Sequence, residues 1–217
     1  MPNKNIIEVS GKSLIQRAID VAAGIFPKNQ IYLSTDSSKF AQIANINEIG
    51  THSRSAFAAS DSAVANDVVE DFLNSDYFQN ENLNSLSLIY LQPTSPFRTQ
   101  IHILESIQLH EKSGWLPVVS VRNLPIVVEK LLKRNVAGLY DSFKSEGLST
   151  ANSQTFTDEV FLPNGAIYIF KIKDFVKRNT FPMNGSIVYK MDDLHSLDID
   201  TPEDINLANR ISRNLGW

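Results

Sequence analysis

Apolar residues recur along this chain with two different periods, and the alternation between those periods is the main signal. Leu14, Ile15, Ala18, Ile19 and Ala22 fall at helical spacing and predict an amphipathic helix over residues 13–24. Ile31-Tyr32-Leu33-Ser34-Thr35 follows as a short strand, with Thr35 or Asp36 placed to cap a helix over 37–44. Val64, Val68, Val69, Phe72 and Leu73 mark another helix. Leu86 to Leu91 is a nearly continuous apolar run, the pattern of a strand buried on both faces. It stops at Gln92-Pro93-Thr94-Ser95-Pro96, after which a helix over about 101–112 and a strand at Pro117–Val121 are expected.

Residues 123–163 are irregular, with Leu124-Pro125, a basic run from Lys130 to Arg134 and a polar stretch from Ser142 to Asp158. Regularity returns with Ala166-Ile167-Tyr168-Ile169-Phe170, then Ile187-Val188-Tyr189 and Leu197-Asp198-Ile199-Asp200. Thr201-Pro202-Glu203-Asp204 is a strong helix start, with a hydroxyl cap, a proline at the first helical position and acids in the first turn. Ile205, Ala208, Ile211 and Leu215 give that helix its apolar face. The alternation predicts one α/β domain over residues 1–217, a doubly wound, mostly parallel, Rossmann-like sheet with helices on both faces. The stretch 123–163 reads as an excursion from the sheet, placed to meet a second subunit.

Composition narrows this only a little. Hydrophobic content of 42% and charged content of 20% suit a globule with a real core. A formal charge of −4 argues against a nucleic-acid partner, while leaving room for one basic pocket. The chain has no cysteine, which excludes disulfides, thiolate metal sites and cysteine nucleophiles. No run approaches the ~20 apolar residues of a membrane span, and the start lacks a signal-peptide core, so no membrane partner and a cytoplasmic protein are expected.

Ligands of open parallel sheets bind at the carboxyl ends of strands, and three features fall there. In Gln92-Pro93-Thr94-Ser95-Pro96-Phe97-Arg98-Thr99, two prolines stiffen a loop that directs Gln92, Thr94, Ser95 and Arg98 towards a polar ligand. A rigid strand-to-helix turn capped by Thr99 would explain it equally well. In Asp198-Ile199-Asp200, carboxylates two residues apart in an extended segment share a face and repel unless a cation lies between them. Oxygen-only ligation suits Mg²⁺ carried by a phosphate substrate, although an acid could equally support the helix that begins at 202. Asn164-Gly165-Ala166, poised before a strand, fits a close backbone approach to a ligand, and a plain turn is the simpler reading. His52, His102, His110 and His195 show no metal-ligand spacing and are expected mostly at the surface, with His195 close to the acidic pair. Phe57, Phe72 and the other aromatics are expected in the core.

Read in order, Lys4-Asn5-Ile6, Ser34-Thr35-Asp36, the Gln92 to Thr99 loop, Asn164 to Tyr168 and Ser196 to Thr201 make the chain resemble the acylneuraminate cytidylyltransferases over nearly its whole length. This resemblance implies transfer of CMP from CTP to the anomeric hydroxyl of a nonulosonic, sialic-like sugar acid, with release of pyrophosphate and a need for Mg²⁺. It implies that Asp198 and Asp200 hold the metal at the reacting centre, and that Lys4, Asn5 and Arg54 lie on the nucleotide side. Gln92, Thr94, Ser95, Arg98, Asn164 and Gln154 would lie around the sugar acid, and a homodimer is expected. The departures are specific. Met1-Pro2-Asn3-Lys4-Asn5 matches only the tail of the family's Arg-x-x-Ser-Lys-Gly-Ile/Leu-Pro-x-Lys-Asn loop, Ala65 stands where a hydroxyl residue is usual, and Gln154 where an arginine is. Losing one well-placed donor typically costs about 10²–10³ in rate, so impaired turnover is expected of a chain that begins this way. A gene start assigned late, a decayed relative and a gap filled by another segment all fit that beginning. The alternative function is a catalytically inactive homologue acting as a binding or assembly partner.

Overall fold

The computed structural model describes residues 4–79, 81–126, 128–143, 159–181 and 183–215. A turn of 3₁₀ helix at Lys4–Ile6 leads into strands β1 (Glu8–Val9) and β2 (Lys12–Ser13). Ser10 and Gly11 between them both have positive φ (49° and 76°), as a two-residue hairpin whose twist matches its strands requires. The run-in to the first helix is therefore a hairpin. Helix α1 (Leu14–Ala23) then starts where the Ser13 hydroxyl accepts from the Gln16 amide. Strand β3 (Tyr32–Thr35), helix α2 (Ser38–Ile46), strand β4 (Gly50–Ser53), helix α3 (Ala65–Leu73) and strand β5 (Ser87–Tyr90) follow. Next come α4 (Gln100–Lys112), β6 (Val118–Asn123), β7 (Leu132–Arg134), β8 (Tyr140–Ser142) and β9 (Phe161–Lys171). Helix α5 (Ile172–Arg178), strand β10 (Ile187–Lys190) and helix α6 (Pro202–Leu215) close the chain.

The central sheet has the order β10-β6-β9-β5, and β3 and β4 form a separate parallel pair. Parallel pairing also joins β10 to β6, while β9 runs antiparallel to both its neighbours, so the central sheet is mixed. Alternation along the strands builds the expected layers. Ile167 and Ile169 of β9 and Ile89 of β5 pack with Ile103 and Ile107 of α4 and Val21 of α1. Tyr168, Phe170, Leu88 and Tyr90 emerge on the other face and pack with Val69 and Leu73 of α3 and Phe175 of α5. Helix α1 also turns Ile15 and Ile19 towards Ala44 of α2 and Leu33 of β3.

Two strands differ in part from the sequence pattern. The apolar run at Leu86–Leu91 packs on both faces, as its pattern predicts, but it forms the edge of the sheet: among the described residues β5 pairs only with β9, and Ser87 is exposed while Leu88, Ile89 and Tyr90 are half-buried. Strand β9 starts at Phe161, so Asn164-Gly165 lies inside it and not before it. The ladder with β6 shifts register there, between Val119 and Val121, and Gly165 takes a φ of 74°. A bulge with a left-handed glycine bends the strand at that point. Of the excursion, the hairpin β7–β8 is described and carries exposed Leu132, Leu139, Tyr140 and Phe143. Gln154 lies outside the described residues. Among those described, no helix is long and apolar enough to cross a membrane.

Candidate active site

The site rests on two segments fastened to one another. Ile199 is fully buried in a cluster with Phe97, Val9, Leu14 and Ala208 of α6. Each such side chain is worth roughly 1.5–3 kcal/mol on burial, which fixes both segments to the same small core. The Ile199 amide donates to the carbonyl of Thr94 at 2.9 Å, so the proline loop and the acidic segment meet through the main chain. With Ile199 pointing inward, Asp198 and Asp200 are turned the other way, as alternation in an extended segment dictates.

The acids do not serve the helix behind them. Asp204 performs that task, its Oδ2 accepting from the amides of Asp200 (3.0 Å) and Thr201 (2.7 Å), while the Thr201 hydroxyl accepts from the Asp204 amide. Those amide bonds hold the Asp204 carboxyl below its ordinary pKa. Neither acid's side chain takes part in that cap: Asp198 is reached by the Thr94 side chain and Asp200 by Lys4. Burial pushes the Asp198 carboxyl up; Thr94 opposes that rise, Asp200 adds to it and Lys4 opposes it. Oδ1 of Asp198 is buried with no hydrogen-bond partner among the described residues. Asp200 is more open, and the Lys4 ammonium stands 2.9 Å from its Oδ1. An orphaned buried carboxylate oxygen, a like-charged neighbour and a side-chain cation drawn to the pair fit a divalent cation held by oxygen. No group of three or more metal-binding side chains occurs among the described residues, so further ligands would come from the substrate or water.

A cavity of about 240 Å³ is lined by Ala65, Gln92, Pro163, Tyr168, Phe181 and Met183. Tyr168 feels the charge of Asp198, and its hydroxyl pKa is raised by burial first, then by Tyr90 and Asp198. Gln92 bonds the Tyr90 side chain, and Tyr90 in turn senses Arg54. Glycine suits position 165 because φ is 74° there, and a Cβ would also meet Oε1 of Gln92 and displace that side chain. Ala65 brings no hydroxyl to the wall.

Other expected site residues turn inward. Arg98 is 2% exposed and donates to the carbonyls of Gln92 (3.1 Å) and Ala166 (2.7 Å), and burial drives its pKa down to about 10. It braces the loop from within, while Thr99 caps α4. The readings of the loop as binding site and as stiff turn are therefore compatible. Asn164 is also buried: its Oδ1 accepts from Ser120 (2.6 Å) and the Ala166 amide, and its Nδ2 donates to Ser196 (2.9 Å). The Ser95 hydroxyl bonds the Asn164 carbonyl at 3.2 Å. Asn5 lies in the turn beside Lys4. Arg54 reaches Ser34, and Gln154 falls outside the described residues.

The histidines correct the sequence reading. His52 and His110 are buried, His102 packs its ring 4.8 Å from that of His195, and His195 pairs with Asp192 rather than with the acidic pair. Phe57 is 68% exposed, against the expectation for aromatics. Sequence reasoning missed Tyr90 and Phe181 as pocket neighbours. Tyr90 could have been found, because it lies two residues before Gln92 on the same run; nothing marked Phe181.

The chain belongs to the cytidylyltransferase family, whose model matches residues 1–211. It is 30% identical over 209 residues to an N-acylneuraminate cytidylyltransferase of Streptococcus agalactiae, covering 94% of this chain and 48% of that protein. It is 29% identical over 213 residues to the CMP-N,N'-diacetyllegionaminic acid synthase of Legionella pneumophila, covering 97% of this chain and 90% of that one. The chain thus spans about half the length of the streptococcal relative. Its fold is similar to that of a CMP-2-keto-3-deoxy-manno-octonic acid synthetase complexed with CTP, at a TM-score of 0.66 and 14% identity, covering 99% of this chain and 93% of that one. A 4-diphosphocytidyl-2C-methyl-D-erythritol synthase of Anaerococcus prevotii matches at a TM-score of 0.63 and 15% identity, covering 96% and 93%.

Proposed function

We propose that this protein transfers CMP from CTP to the anomeric hydroxyl of a nonulosonic acid. The observation that carries this is the unpartnered buried oxygen of Asp198, whose charge is felt by Tyr168 in the wall of the cavity that Gln92 also lines. The anomeric oxygen attacks the α-phosphorus of CTP, its bond to phosphorus forms as the bond to the bridging oxygen breaks, and pyrophosphate leaves. Asp198 and Asp200 would hold Mg²⁺. When bound, that ion neutralises the triphosphate and lowers the pKa of the attacking hydroxyl. Gln92 orients the sugar acid, with Thr94 and Ser95 shaping the loop and Arg98 and Asn164 bracing it from behind. Lys4, Asn5 and Arg54 face the nucleotide. Tyr168, Phe181 and Met183 wall the cavity against water. Positioning and charge neutralisation supply the catalysis, with no covalent enzyme intermediate.

Homodimerisation through the β7–β8 excursion belongs to the same reading, supported by the exposed Leu132, Leu139, Tyr140 and Phe143. So does a cytoplasmic setting. The test is pyrophosphate release by the purified 217-residue chain with CTP, Mg²⁺ and a panel of sialic, legionaminic and pseudaminic acids. Release with at least one acid is expected. Metal-dependent CTP binding with no release from any of them would instead favour a binding partner that does not catalyse, a reading to which the bare Ala65 wall lends support.

A further inference from the structure

Behind Arg54 lies a chain of polar groups drawn from three elements. Nε of Arg54 donates to the Ser34 hydroxyl at 3.1 Å, and its Nη2 donates to the Ser34 carbonyl at 3.0 Å. The Ser34 hydroxyl lies 2.9 Å from Nδ1 of His52, and Nε2 of His52 lies 3.3 Å from Oδ2 of Asp71. Asp71 is itself fixed by the Ser55 amide at 2.9 Å. Ser34 stands on β3, His52 on β4 and Asp71 on α3, so the chain ties the separate strand pair to the helix that covers it.

Arginine is a donor only, so the Ser34 oxygen accepts from it. With a neutral imidazole whose ring proton sits on Nε2, facing Asp71, Nδ1 accepts the Ser34 hydroxyl hydrogen, and every group in the chain is paired. His52 is buried against the Phe72 ring, and burial lowers its pKa, with Arg54 lowering it further and Asp71 opposing both; these are the charged groups that face it. The order of residues is that of a hydrolase triad, but the geometry is not. In such a triad Nε2 faces the serine, whereas here Nδ1 does, and Arg54 caps the hydroxyl. The group at the end of the chain is the guanidinium. It uses Nε and Nη2 on Ser34, and its charge is felt by Tyr90, which Gln92 bonds at the pocket.

We propose that Asp71 and His52 are positioning residues that act through Ser34 to hold the Arg54 guanidinium in the orientation from which it meets the nucleotide. The proposal rests on the reading of Arg54 as a nucleotide-side residue. A long arginine side chain loses considerable rotamer freedom on binding, and a frame that restricts it beforehand reduces that cost.

The test is equilibrium CTP binding, with Mg²⁺, by the full 217-residue chain and its Arg54→Ala, Ser34→Ala, Ser34→Thr and His52→Phe variants. Arg54→Ala, Ser34→Ala and His52→Phe are each expected to weaken binding roughly tenfold, about 1.4 kcal/mol, while Ser34→Thr keeps the hydroxyl and the parent affinity. The ¹⁵N–¹H signal of the Arg54 Nε–H should be sharp in the parent and in Ser34→Thr, and broadened by exchange in Ser34→Ala and His52→Phe. A general loss of stability would not produce that selective change. If His52→Phe does not fold, Ser34→Ala, which removes one oxygen, decides alone. Parent-like affinity in Ser34→Ala with a weakened Arg54→Ala overturns the relay and leaves the nucleotide reading standing. Parent-like affinity in Arg54→Ala, or no CTP binding by the parent, overturns that reading and the relay with it.

Discussion

The carbonyl of Thr94 accepts a 2.9 Å hydrogen bond from the amide of Ile199, joining the proline-framed loop to the acidic segment residue to residue. The loop proposed to bind substrate and the acids proposed to hold the metal are consequently joined through the main chain, and a change on either side should be felt on the other. The Thr94 hydroxyl also favours the charged form of Asp198. Thr94→Val keeps the carbonyl and removes that hydroxyl, which leaves the Asp198 carboxylate less stabilised. The Mg²⁺ concentration for half-maximal CTP binding should rise on the order of fivefold, with the apparent melting temperature nearly unchanged.

Gly165 makes room for Gln92. Gly165→Ala forces a side chain into a φ of 74°, which costs about 1–2 kcal/mol, and drives Gln92 out of its place. The KM for the sugar acid should rise roughly tenfold while the KM for CTP changes little. Because the effect passes through Gln92, Gly165→Ala combined with Gln92→Ala should be no worse than Gln92→Ala alone. Additive losses would contradict this.

Arg98 is a structural brace. Arg98→Met removes the charged donor to the carbonyls of Gln92 and Ala166, leaving the Gln92 carbonyl with the 3.4 Å bond from the Ser95 amide. Destabilisation of roughly 2–4 kcal/mol is expected, which for a chain of this size lowers the melting temperature by on the order of 10 °C. A full melting temperature with lost sugar-acid binding would instead place the guanidinium in the pocket.

Acid should destabilise the fold early. His52, His102 and His110 all have pKa values pushed below the ordinary histidine value, with burial the largest cause in each. His110 shows why: Nδ1 lies 2.7 Å from the Leu116 carbonyl and Nε2 3.0 Å from the Ser87 hydroxyl, a pair of contacts that suits a neutral ring. The unfolded chain therefore binds more protons than the folded one just below the ordinary histidine pKa of about 6.5. Stability is fully present above that value and falls as the pH drops through it. Urea melts from pH 8 to pH 5 should show this decline, and His110→Gln should flatten it.

Much of the architecture was legible because the apolar periods change cleanly from helix to strand. The amphipathic α1, the capped α6 and the buried β6 all lie where the pattern put them. At Asp198-Ile199-Asp200 the pattern puts Ile199 inward, and it is fully buried; the metal role read for the two acids belongs to the proposed function. What could not be read was the demand for partners made by the folded backbone. Arg98 looks like a ligand contact in a loop of polar residues, yet the carbonyls of Gln92 and Ala166 claim it. Asn164 is likewise claimed by Ser120 and Ser196, which lie 44 and 32 residues away. His52 reads as a surface histidine because neither Asp71 nor Ser34 is near it in sequence.

The most direct test of the central claim is calorimetric titration of the parent chain and of Asp198→Asn with CTP, each with Mg²⁺ and with a chelator. The account predicts that the parent binds CTP tightly only when Mg²⁺ is present and that Asp198→Asn loses this metal-dependent gain. The variant should also melt on the order of 1–3 °C higher, because the buried carboxylate no longer has to be charged in the folded state. Identical, equally metal-dependent CTP binding by the two proteins would contradict it.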